Sequence, residues 1–176
     1  MPTPQSSSLP KQASRVSEQA SALSSGRQLA SFIAKFEPSV ARLIKECRAE
    51  MRKLLPSAVE LVYDNYNFFV IGYSATERAS DCIVSIAAAA NGVGLSFYYG
   101  STVPDPKKLL LGSGAQNRFI RLPSIEQLRS PDVRTLIHAA VGQAKTPLSN
   151  SGRGHLVIKS ISAKQRPRRR GDKSAA

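Results

Sequence analysis

Acidic residues are scarce in this chain, cysteines and histidines scarcer still, and long apolar runs are missing. Twelve carboxylates face 25 lysines and arginines over 176 residues, with two histidines and two cysteines. Cys47 and Cys82 are too few for a disulfide framework or a structural zinc site. One falls on an apolar helical stripe and the other in a strand-like run, so both read as core thiols. No apolar run approaches membrane-spanning length and none resembles a secretory segment. The expectation is a protein of the reducing cytoplasm with no membrane partner. His138 falls on the polar side of a helix and His155 in the tail, so neither completes a hydrolytic triad. Four scattered acids, Glu60, Asp64, Glu77 and Asp81, make a poor trap for a hard cation in a basic body.

The charge that is present is lopsided. The net +13 divides into +1 for residues 1–26, +5 for residues 27–150 and +7 for residues 151–176. A tail-borne anion partner is therefore favoured over a basic domain face. Residues 1–26 are rich in Ser, Ala and Gln without a sustained apolar period, and read as a disordered arm. A short helix over 27–36 follows. Pro38 then opens a longer one, in which Val40, Leu43, Ile44, Cys47, Met51, Leu54 and Leu55 recur at three- and four-residue steps until Pro56.

From there the period shortens. Val59–Asp64 and 68–73 read as strands joined by Asn65-Tyr66-Asn67. Residues 82–88 and 95–99 form a second pair around Asn91-Gly92, a strong hairpin signal. Arg118–Leu122 is a fifth strand. Ser124 with Gln127 forms a capping-box pattern, and Ser130-Pro131-Asp132 opens a last helix that Pro147 stops. Helices, then hairpin-linked strands, then helices imply an α+β domain over 27–147, with about five strands in one antiparallel sheet and helices packed on one face.

No convergent catalytic set emerges. Gly112-Ser113-Gly114 lacks the lysine and the strand–loop–helix order of a phosphate loop, and Gly112 and Gly114 read as a structural turn. Gly72-Tyr73-Ser74 lacks the second glycine of a nucleophile elbow. The expectation is a protein that is not an enzyme and needs no cofactor. Aromatic residues are more telling: Tyr63, Tyr66, Phe68 and Tyr99 are candidates for an open binding surface around the first hairpin. In the segment 148–176, residues 155–162 have strand-like content. Lys164, Arg166, Arg168, Arg169 and Arg170 then form a run suited to binding phosphates without reading sequence.

Several blocks together resemble the YdhG-like family, small domains of mostly unknown function: Val62-Tyr63-Asp64-Asn65-Tyr66, Val70-Ile71-Gly72-Tyr73-Ser74, Thr76-Glu77-Arg78-Ala79-Ser80-Asp81, Pro104-Asp105-Pro106, Leu110-Leu111-Gly112-Ser113-Gly114 and Phe119-Ile120-Arg121-Leu122. The resemblance implies a curved antiparallel sheet with flanking helices, and a recurring turn at Gly112 and Gly114. A frataxin-like iron-chaperone role is linked to that family, with Glu60 and Asp64 as the metal candidates here, although this body is basic and has no acidic ridge. The expectation is a binding module for an unknown protein or small ligand, with weak nucleic-acid affinity in the tail; the iron chaperone is the alternative.

Overall fold

The computed structural model describes residues 9–171. Helix α1 (Leu9–Ile33) and helix α2 (Pro38–Leu54) lead into four strands, β1 (Val59–Asp64), β2 (Phe69–Ser74), β3 (Cys82–Ala89) and β4 (Gly92–Phe97). Strand β5 (Arg118–Leu122), helices α3 (Ile125–Arg129) and α4 (Pro131–Gly142), and strand β6 (Leu156–Ile161) complete the chain. The strands form one sheet in the order β5-β4-β3-β2-β1-β6. The first five make an antiparallel meander, and β6 lies parallel to β1. The fold is α+β with a mixed six-stranded sheet, which corrects the expected five-stranded antiparallel one.

The parallel strand has a local cause. The chain returning from α4 meets the start of β1 rather than its end. Ser57 Oγ donates to Ser149 O at 2.6 Å, Gly154 N to Pro56 O at 2.9 Å, and Glu60 N to His155 O at 2.8 Å. Both strands therefore begin side by side and run the same way, and β6 covers the edge that β1 would otherwise expose. A side chain at Gly154 would run into the carbonyl of Ala58, so only glycine lets the two backbones approach this closely.

The register explains the core. Val62, Ile71, Ile86, Leu95 and Ile120 are cross-strand partners in one row, all buried. Flanking rows add Phe69, Ala88, Val93 and Leu122 on one side and Tyr73, Val84 and Phe97 on the other. These residues join Leu29, Phe32, Ile33 and Phe36, then Ile44, Cys47 and Met51, then Leu136 and Ile137, in a single hydrophobic cluster. Each buried side chain of this kind contributes about 1.5–3 kcal/mol. The opposite face presents small side chains, Gly72, Ser85, Ala87, Gly94 and Ser96, with Tyr63 and Val70 half-buried among them.

Two sequence expectations change here. The arm expected over 1–26 is helical from Leu9 onward, continuous with the expected short helix; residues 1–8 lie outside the described residues. Ala, Gln, Glu and Leu in this stretch are good helix formers, and Pro10 sits in the first turn where a missing N–H costs little. The stretch needs no apolar period where it is solvated: residues 17–24 are exposed, and Leu29 is the first residue after them that is buried. The segment beyond Pro147 is likewise not a free strip. Its residues to Gly171 run along the domain, with Leu148, Leu156 and Ile158 packed against the core.

Candidate binding site at the first hairpin

The β1–β2 turn leaves four residues at its tip, Asn65, Tyr66, Asn67 and Phe68, closed by Asn65 N donating to Phe68 O at 3.1 Å. All four are exposed, and Tyr66 and Phe68 keep 51% of their surface in solvent. Immediately before the tip, Asp64 points to the helix side of the sheet and is fully buried. A buried carboxylate needs a cation and hydrogen bonds to offset its lost hydration. Two cations supply them from distant parts of the chain. Lys35 Nζ, just past α1, sits 2.6 Å from Asp64 Oδ2. Arg168 Nη2, from the tail, sits 3.0 Å from Oδ1.

Arg168 acts as a plug. Besides Asp64, Nη2 donates to Asn65 O at 2.6 Å and Nη1 to Asn67 O at 3.0 Å. The guanidinium lies 5.7 Å from the ring centre of Phe36. Only 3% of the side chain remains exposed, so this arginine is withdrawn from the anion-binding run that the sequence predicts. The physical reason is Asp64: a guanidinium fork satisfies a carboxylate and two turn carbonyls at once, as a solvated tail cannot. Gln165 Nε2 adds a bond to Asp64 O, Ser160 Oγ donates to Asn65 Oδ1 at 2.6 Å, and Arg166 N donates to Tyr66 O at 2.9 Å.

With Arg168 fixed, its neighbours are carried to the hairpin tip. The Arg166 guanidinium lies 5.7 Å from the Tyr66 ring centre, within cation–π range. Arg169 donates to the carbonyls of Ala34 and Lys35 at the end of α1, at 3.4 and 3.3 Å, while its side chain stays exposed. Lys164 and Arg170 are exposed as well. Between this segment and the tips of both hairpins lies a groove of about 390 Å³, lined by Asn67 and Phe68, by residues 89–91, and by Arg166 and Pro167. The stretches that build this end, 65–71, 88–93 and 162–171, contain no acid.

The other predicted residues are dispersed. Tyr63 is half-buried on the small-residue face of the sheet. Tyr99 follows β4 at the opposite end from the hairpin tip, where its hydroxyl donates to Ser80 O at 3.2 Å and its ring packs edge-on against Tyr98. The four aromatics therefore do not form one surface; only Tyr66 and Phe68 share an end. Gly112 adopts φ 107° and turns the chain after Leu111, which bridges Phe119 on the outer edge of β5. No helix precedes it, so it begins a strand-to-strand turn rather than capping a helix. Arg118 closes that turn by donating to the carbonyls of Gly114 and Asn117, whereas Gly114 itself has ordinary φ and open space around it.

Glu60 does not share a ligand shell with Asp64. It lies on the same face of β1 but is clasped by Arg48 of α2, with Nε and Nη2 at 2.9 and 2.8 Å from its two oxygens. The two predicted metal candidates are thus each neutralised by their own cations. A hard cation would have to displace those cations, so the pair does not fit an iron ligand set. Among the described residues no three His, Cys, Asp or Glu side chains cluster as a metal site.

Nucleophile candidates are similarly occupied. Ser74 is buried, donates to Arg78 O at 3.3 Å and meets no base. His155 pairs with Glu77 at 2.7 Å. Burial pushes the Cys47 thiol up to about 12 and the Cys82 thiol up to about 11, so both stay protonated near neutrality. The crevice between β3 and α4, beside Cys82 and Tyr99, holds only about 20 Å³, room for about one water.

Sequence reasoning missed Lys35, Arg48 and Gln165. The available signal was Glu60 and Asp64 flanking Val62 at the same strand parity, because acids sharing a face with a core residue need cations. Among the described residues no helix is long and apolar enough to cross a membrane. No protein-family model, no curated protein and no solved structure matches this chain.

Proposed function

We propose that this chain is a non-catalytic binding module, YdhG-like in its sequence blocks, that takes an anionic ligand at the end where the first hairpin meets the C-terminal segment. It works in the cytoplasm and needs no cofactor. The observation that carries this reading is an acid-free groove lined by Phe68 and Arg166, with Arg166 also lying against the exposed Tyr66 ring and Arg169 and Arg170 exposed further along the same segment. Open rings with guanidinium groups suit a ligand having both negative charge and a flat or apolar part. The binding site is a fixed platform rather than a waving tail, since Arg168 holds the segment to the body.

Deleting residues 151–176 would remove β6 and Arg168 together, so point substitutions on the exposed arginines are the proper test. Arg166→Ala and Arg170→Ala combined should shift elution from a heparin column to clearly lower salt with an unchanged melting temperature, and adding Arg169→Ala should lower the eluting salt further. Elution at the wild-type salt concentration would remove the proposed site.

A further inference from the structure

The groove and its rim identify a narrower class of ligand. Its volume, about 390 Å³, lies at the lower end of the range for small-ligand sites. Phe68 and residues 89–91 line the groove together with Asn67, Arg166 and Pro167. Tyr66 stands beside it with half its surface in water and a guanidinium against its ring. Two half-exposed rings on one turn offer faces on which a flat group can stack. Arg166 in the lining is followed along the chain by Arg169 and Arg170, on a segment whose position Arg168 fixes.

A duplex offers its phosphates but keeps its base faces stacked inside. An acidic peptide offers charge but no regular series of flat rings. A single strand offers both together: unstacked bases for Tyr66 and Phe68, and phosphates for the arginines. Two of the lining residues, Asn67 and Asn91, carry an amide of the kind that donates to and accepts from base edges.

Resting on the binding-module reading above, we propose that the hairpin groove binds single-stranded nucleic acid, with a base against Phe68, a neighbouring base on Tyr66, and the adjoining phosphates on Arg166, Arg169 and Arg170. Arg168 takes no phosphate; it positions the others. If those three arginines neutralise three phosphates, the logarithm of affinity should fall against the logarithm of salt with a slope of about −2.

The test is fluorescence anisotropy on the full chain, with labelled oligothymidylate of about ten nucleotides and a duplex of equal length as probes. The single strand should bind at least about tenfold more tightly than the duplex. Phe68→Ala and Tyr66→Ala should each weaken it by about tenfold, with the melting temperature unchanged. Equal binding of both probes, or no loss in either aromatic variant, would overturn the single-strand assignment while heparin retention still upheld an anion-binding module. Absence of binding to either oligonucleotide and to heparin would overturn both readings.

Discussion

The first half of α1 and the segment 162–171 are alike in composition: polar, poor in apolar residues, and outside the hairpins and amphipathic helices that mark a core. In the fold they diverge. Residues 17–24 form exposed helix, held by local hydrogen bonds and propensity. The C-terminal segment has no helix or strand beyond Ile161, yet one of its side chains lies inside the molecule, bonded to Asp64 and two turn carbonyls. A segment without regular structure is thus tied to the body by side-chain bonds, whereas the exposed helix is held by bonds within itself.

Removing the plug should break this contrast most sharply. Arg168→Ala leaves Asp64 buried with only Lys35, which is itself 39% exposed. Cutting one partner from a buried pair costs about 3–5 kcal/mol, and the remaining lysine reduces that to about 2–3 kcal/mol here. The urea midpoint should fall accordingly, and trypsin should then cleave near Lys164 and Arg166 well before the body. A change below about 0.5 kcal/mol would show that the segment is not clasped.

The body between the two ends responds to pH through its thiols. Burial raises Cys47 to about 12 and Cys82 to about 11 from the ordinary 9.0. A protonated thiol favoured in the folded state stabilises fully below about pH 9, and that contribution is lost as pH climbs through the raised values. Stability measured by urea titration should therefore decline from pH 9 to pH 11. The decline should be shallower in Cys82→Ala, and parallel slopes in the two proteins would refute the assignment.

The smallest effect belongs to the N-terminal side. Starting the chain at residue 21 removes the first part of α1, in which residues 17–20 are exposed. Melting should shift by no more than about 1–2 °C. A larger loss would mean that this helix carries packing like that of the C-terminal segment, and the contrast would collapse.

How much could be read beforehand follows from range. The α2 stripe from Val40 to Leu54, β1, β5 and the start of α4 were legible because periodicity and capping are local. Ser130 does cap α4, accepting from Val133 N at 3.3 Å, whereas Ser124 starts α3 without a side-chain cap bond. The helical run before Arg27 was hidden because an exposed helix needs no apolar stripe. At the site, Tyr66 and Phe68 were legible as turn aromatics. Nothing local could tell that Tyr99 lies at the far end of the sheet, since that depends on strand order.

By itself the chain's order of residues determined the amphipathic helices and the hairpin strands of the body, and placed Glu60, Val62 and Asp64 on one side of β1, since side-chain direction alternates along any strand. It also put the excess positive charge near the C-terminus. Only the tertiary structure decided where that charge is held. Folding carried Arg168 across 104 residues of chain to a carboxylate that its helix layer had cut off from water, and the cost of burying a charge alone made that long-range pairing the favourable one.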